Sequence, residues 1–295
     1  MRCGWLLAAA LAAGCATTPQ VAPTFTYAPP AGTRYVRMLK LVTETSLVGT
    51  PYRERSEQVF VWNVSFTGQG DRLVVRHQLQ RTALRINDAE VLDGERSLGY
   101  PVSVDLLVSS EPRVLEVRGT QRAAEVLSAL MTPPQLGIPT QVITPDQVRQ
   151  IAVALFEITV RDVAGHPTVP GSSWVAASPD PAVSRKVLRV DRLEPCDTTR
   201  CARISAEYEV NQEEAAREAM RSAETLLIQN GVNPAEAEVV DATLDFADTL
   251  LLEPATLVDH AASFSRTARV TFARPGGARL RLEFRSTLEQ TSAFP

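Results

Sequence analysis

Apolar and polar residues alternate with a period of two over most of this chain, the pattern of strands with one buried face. In RYVRMLKLVTETSL, Tyr35, Leu39 and Leu41 fall on one side, and Val36, Met38 and Val42 on the other. QVFVWNVSF places Phe60, Trp62, Val64 and Phe66 on one face, and RLVVRHQLQRTALRI aligns Leu73, Val75 and Leu79. Gly68-Gln69-Gly70-Asp71 between these two runs is a hairpin signal. VDLLVS and RVLEVRG read as shorter strands, and the whole as an antiparallel meander.

The period then changes to that of helices. Gln121 to Met131 sets Val126, Leu127, Leu130 and Met131 on one face and stops at Pro133-Pro134. Thr144-Pro145-Asp146-Gln147 has a capping threonine, proline at the first helical position and a glutamine that can reach back. Val148, Ile151, Ala152, Leu155 and Phe156 follow at helical spacing, a stripe suited to a sheet face.

Strand patterning resumes near PTVPGSSWVAA, and RKVLRVDRLEPCDTTRCARISAEYEV reads as two strands about a turn. Asn211 caps another helix, with Ala216, Met220, Ala223 and Leu227 on its face and Gly231 as its stop. Asn233-Pro234 suggests a shorter helix towards Phe246. The chain closes in three strands; the last sets Leu280, Leu282 and Phe284 inward and Arg279, Arg281, Glu283 and Arg285 outward. The fold class is therefore α+β: predominantly antiparallel, curved sheets with a few amphipathic helices packed on them. The two halves, 33–165 and 166–295, have similar element order, which suggests a duplicated β unit.

The first residues break the pattern. Arg2 is followed by an uncharged apolar run, Trp5 to Ala13, too short to span a bilayer. A basic start, a short apolar stretch and small residues describe a secretory signal. Ala12-Ala13-Gly14-Cys15 resembles the lipobox of bacterial lipoproteins. That resemblance implies cleavage after residue 14, with Ala12, Ala13 and Gly14 as the context, and a diacylglyceryl group on the Cys15 thiol. Leucine is commonest three residues before the cysteine; here Ala12 stands there and Leu11 one place earlier. Residues 1–14 would be the signal peptide, and 15–32, rich in proline, a tether, with a first strand in PTFTYAPP as the alternative. Acyl chains at Cys15 would hold the mature chain at a membrane, since one chain anchors marginally and two or more stably. Ala16 is not the aspartate that retains some lipoproteins at the inner membrane, so the outer membrane is expected.

Composition narrows the partners. Loss of the signal removes one basic residue, Arg2, and takes the formal charge from −4 to −5. Acids are dispersed and no basic patch suggests a nucleic acid. For an exported chain, Cys196 and Cys201 in CDTTRC read as a disulfide. A redox motif would have the shorter C-x-x-C spacing, and zinc would need two more ligands.

Pro167, Pro170, Gly171 and Trp174, and Glu253, Pro254 and Thr256, are similar to turns in secreted bacterial β-rich proteins; the likeness runs from Thr33 to Thr291. More remotely, curved sheets covered by helices resemble carriers of lipoproteins or lipids across the periplasm.

Catalytic patterns are not visible. His77, His166 and His260 have no second ligand at short spacing, and His77 reads as a strand residue beside an arginine-rich face. Ser172 and Ser173 sit in a turn rather than a G-x-S-x-G elbow. Glu207 and Glu209 share a strand face, as do Arg279, Arg281 and Arg285, and both read as solvated. No cofactor, metal or catalytic residue is expected. The first functional reading is a noncatalytic envelope scaffold or partner-binding module. The alternative is a carrier of lipid or another apolar ligand, with a cavity between Phe60, Trp62, Phe66 and the helical stripe at Ile151 and Phe156; those side chains would equally serve as ordinary core. An enzyme is the third.

Overall fold

The computed structural model describes residues 22–93, 102–131, 143–178, 180–229, 233, 237–273 and 279–295. Cys15, with Ala12, Ala13 and Gly14, lies outside the described residues, as do Pro133-Pro134, Gly231 and the turn at Pro275. The strands are β1 (Arg34–Val48), β2 (Arg53–Gln69), β3 (Arg72–Ile86), β4 (Ala89–Asp93), β5 (Val102–Val108), β6 (Val114–Arg118), β7 (Ser173–Ala176), β8 (Val183–Cys196), β9 (Thr199–Val210), β10 (Glu238–Leu252), β11 (Asp259–Ala273) and β12 (Arg279–Ala293). All belong to one 12-stranded sheet, ordered β6-β5-β3-β2-β1-β12-β11-β10-β9-β8-β7, with β4 beside β3. Pairing is antiparallel throughout.

The first and last strands meet in the middle of the sheet, in register from Val36 opposite Ala293 to Val48 opposite Arg281. The long strands are central and the short ones, β6 and β7, form the edges, which limits the unpaired backbone offered to other chains.

Strand parity and core membership show that the sheet is curled. Neighbouring strands lie about 4.8 Å apart, so β5 and β8 are about 40 Å apart along the sheet. Yet Leu106 and Val108 of β5 share one buried core with Leu188 and Val190 of β8. That core also takes Tyr35, Phe66, Ile204, Leu250 and Ala262, so the inner faces surround a common interior.

The helices α1 (Thr120–Met131), α2 (Pro145–Phe156) and α3 (Gln212–Gln229) cover this concave face. α1 follows Gly119, whose φ is +81° and where a Cβ would lie 2.1 Å from the Ser103 carbonyl oxygen, so only glycine fits. α2 begins with the predicted capping box, in which the Gln147 amide donates to Thr144 Oγ1 at 3.2 Å and the Thr144 amide to Gln147 Oε1 at 2.8 Å. It runs on into a π-helical turn, Glu157–Arg161. Asn211 caps α3, as expected, by accepting from the amides of Glu213 and Glu214. At the far end of the sheet Ala223 and Leu227 of α3 pack on Leu47, Phe272, Leu280 and Leu282.

Two expectations change. The helix expected from Asn233-Pro234 to Phe246 is instead mostly β10, paired with β11 from Glu238 opposite Ala273 onwards. Ala242, Leu244, Phe246 and Asp248 alternate in this strand, and burial of Leu244 against the sheet overrides the local helical tendency. The tether expected over 15–32 is not free at its distal end. Phe25 is 2% exposed, its amide donates to the His166 carbonyl at 2.9 Å, and its ring meets that of Trp174 at 6.2 Å. Burying this aromatic side chain, together with Tyr27 on Phe156, holds the segment against the body.

The disulfide is formed as expected: Cys196 and Cys201 join the ends of β8 and β9 with a Cα–Cα distance of 5.7 Å.

Candidate functional site

Under α1 and α2 the concave face is not filled. A cavity of about 180 Å³ lies between the two helices and strands β1, β2, β3 and β5, with the β10–β11 turn at its far side. Parity decides which residues reach it. The odd residues of β1, namely Tyr35, Arg37 and Leu39, face inward, as do Trp62 and Phe66 of β2, Val75 and His77 of β3, and Val104 and Leu106 of β5. α2 supplies Val148, Ile151, Ala152, Leu155 and Phe156. Trp62, Phe66, Ile151 and Phe156 thus meet where a cavity was envisaged; Phe60 packs beside it, against the core of β3, β5 and α1. Ile151 is 58% exposed, which puts it at the rim.

The wall is apolar except at one end. There Tyr35 Oη donates to Asp259 Oδ1 at 3.0 Å, and Arg37 Nη2 donates to Tyr35 Oη at 2.8 Å. Arg37 also donates to Asp259 Oδ1, and Gln290 Nε2 to Asp259 Oδ2. Ser292 Oγ completes the set on Oδ2 at 3.2 Å. A carboxylate has about four lone-pair positions, so four donors saturate Asp259. Its negative charge, 5% exposed, is matched by Arg37. Burial pushes the Tyr35 hydroxyl well above the usual phenol range. Desolvation, the largest single influence, lowers the Arg37 pKa, but the Asp259 carboxylate and the Tyr35 hydroxyl together outweigh it and keep the guanidinium charged. Burial first, and the Arg37 charge second, push the His77 imidazole down to about 3, so it is neutral at pH 7.

Two donors at this end have no acceptor. Tyr27 Oη and Arg37 Nε are both buried and without a hydrogen-bond partner. The Tyr27 ring meets Phe156 edge-on at 5.6 Å.

His77 was expected beside the arginine-rich face; it points the other way, into the cavity, because it shares parity with Leu73, Val75 and Leu79. Arg37, Tyr27, Asp259 and Gln290 were not singled out from the sequence. The signal for Arg37 was present, since it has the parity of Tyr35 and Leu39. None existed for Asp259, which meets Tyr35 across 224 positions of sequence.

The other histidines lie elsewhere. His166 stacks on Trp174, with ring centroids 4.5 Å apart. His260 Nδ1 is 3.3 Å from Asp197 and close to the disulfide. Among the described residues Cys196, Cys201 and His260 bring potential metal-ligand atoms within 4.8 Å of one another, but both sulfurs are bonded to each other. Glu207 and Glu209 are exposed, as are Arg279, Arg281 and Arg285. No described helix is long and apolar enough to cross a membrane.

No family model matches the sequence, and no curated protein is similar to it. Comparison with solved structures finds distant likenesses. A lipovitellin, from work on its lipid–protein interactions, is 10% identical with a TM-score of 0.43; the match covers 88% of this chain but only 25% of the lipovitellin chain. A DUF1329 family protein from Desulfovibrio piger is 7% identical over 88% of this chain and 85% of its own, with a TM-score of 0.18. The COG4313 outer membrane channel from Pseudomonas putida F1 is 5% identical over 93% of this chain and 100% of its own, with a TM-score of 0.22.

Proposed function

We propose that this protein is an envelope protein that binds a small apolar or amphipathic molecule in the cavity under α1 and α2, held at a membrane by a lipid on Cys15. The observation that carries the binding role is an apolar-walled cavity of about 180 Å³ with its polar groups gathered at one end. Cavities lined by aliphatic and aromatic side chains stay dry and accept apolar guests; one of about 150 Å³ takes benzene. A concave, mostly apolar site with a few convergent polar groups is the usual form of a small-molecule pocket. A scaffold needs only a filled body, so the cavity favours the carrier reading over the scaffold. Asp259, saturated with donors, has no lone pair left to take a proton from a substrate, and the site is better equipped to hold and orient a molecule than to transform it.

The test uses native mass spectrometry of the full chain gently extracted from membranes, and of Ala152→Trp. Ala152 lines the cavity and is half-buried, so tryptophan there fills the space from the helix side. The expected result is a co-purifying apolar molecule on the natural chain that is lost from the variant, with both unfolding at similar temperatures. A natural chain that carries nothing, and takes up no neutral apolar probe, would overturn the reading.

A further inference from the structure

The polar end of the cavity has a definite electrostatic character. Among the described residues its one cation, Arg37, faces its one anion, Asp259, and the two form a direct ion pair. All four acceptor positions of Asp259 are used by Tyr35, Arg37, Gln290 and Ser292. The end of the cavity is thus neutral overall and has no spare anionic acceptor. What it lacks is acceptors for Tyr27 Oη and Arg37 Nε. Buried donors without a partner cost about 1–3 kcal/mol each, and native proteins rarely leave such groups unpaired without a reason. His77 adds a third polar group, its neutral ring lining the cavity.

We infer that the cavity selects an amphiphile whose head is an uncharged oxygen acceptor, an ester, alcohol or similar group, with its acyl or alkyl part against Trp62, Leu106, Val148 and Phe156. This rests on the binding role proposed above. An ester carbonyl or hydroxyl that reaches Tyr27 Oη or Arg37 Nε on binding would supply the acceptor each lacks, and adds no charge. A carboxylate head would bring a net negative charge into an apolar site whose one cation among the described residues is already paired. An ammonium head would find Asp259 saturated and Arg37 beside it. Burial of a charge without a partner is far costlier than burial of a hydrogen-bonded dipole. The small volume favours a short chain or the end of a longer one.

The experiment is calorimetric titration of the full chain at pH 8 with five probes of one chain length: hexane, hexyl acetate, 1-hexanol, hexanoate and hexylammonium. Hexyl acetate and 1-hexanol should bind about tenfold or more tighter than either charged probe. The same titrations on Tyr27→Phe isolate the head group. The lost hydroxyl makes no internal hydrogen bond and the ring contact with Phe156 is kept, so the fold should stand and its unfolding temperature should not drop. That variant should lose about fivefold in affinity for hexyl acetate while hexane binding is unchanged. Hexanoate or hexylammonium binding as tightly as hexyl acetate would overturn the neutral-head inference, as would a Tyr27→Phe protein that binds hexyl acetate unchanged. In those cases retained hexane binding leaves the cavity's binding role intact. Failure of every probe, hexane included, would remove both.

Discussion

At the scale of single residues, the interior of this protein holds more ionisable chemistry than its alternating sequence suggests. Lys186 is 4% exposed, with Nζ 3.5 Å from Asp162 Oδ2, and burial raises the pKa of both Asp162 and Asp248. His77 is the clearest pH-dependent element. Its folded pKa of about 3 lies below the ordinary histidine value of 6.5. The unfolded chain therefore takes up a proton as pH falls through 6.5 while the folded chain does not. Stability from this group is present above about pH 6.5 and is lost progressively towards pH 3. The two raised aspartates act in the opposite sense, so the contribution is read by comparison. Urea unfolding of the natural chain and of His77→Gln between pH 7 and 4 should show the natural chain losing stability more steeply. Parallel curves would mean the imidazole is protonated inside the fold.

At the scale of elements, local signals and pairing signals separate cleanly. The start of α2 is local: Thr144, Pro145 and Gln147 specify it within four positions, and the structure contains the complete box. Thr144→Ala removes an amide acceptor and should cost about 1 kcal/mol in chemical denaturation. Because α2 forms one wall of the cavity, the same change should also weaken uptake of a neutral apolar probe; unchanged stability would show that the box is redundant. β10 is the opposite case. Its residues follow a helix and an Asn-Pro step, and only the partner β11 reveals them as a strand. The π-helical turn Glu157–Arg161 is equally invisible in sequence. It places Val160 in the core and Thr159 at the cavity after the regular helix ends.

At the scale of the whole molecule, one sheet joined through its first and last strands curls until its two arms share a core on which α2 packs, while α3 covers a separate cluster with Leu47, Phe272, Leu280 and Leu282. The cavity arises where α1 and α2 lie over the sheet without filling it. The proposed lipid on Cys15 would add a membrane foot, and it is testable apart from everything else. Cys15→Ser should move the full chain from the membrane pellet to the soluble fraction on cell fractionation while leaving its unfolding transition unchanged. Persistent sedimentation with membranes would contradict lipidation at that thiol.

The sequence by itself determined the antiparallel character, most strands, the three described helices, the α2 and α3 caps, the disulfide and four apolar residues of the cavity wall, Trp62, Phe66, Ile151 and Phe156. Each of these depends on period, on spacing or on neighbours within a few residues, and such signals are written locally. Tertiary structure alone decided that the strands form one curled sheet, that β10 is a strand, and that Asp259 completes a saturated ion pair with Arg37. The closing of the sheet through β1 and β12 and the pairing of Asp259 with Arg37 bring together residues more than two hundred positions apart, and β10 is a strand only through its ladder with β11; no local pattern encodes such contacts. The position of His77 was readable from parity, but its neutrality needed the burial and the guanidinium that only folding supplies.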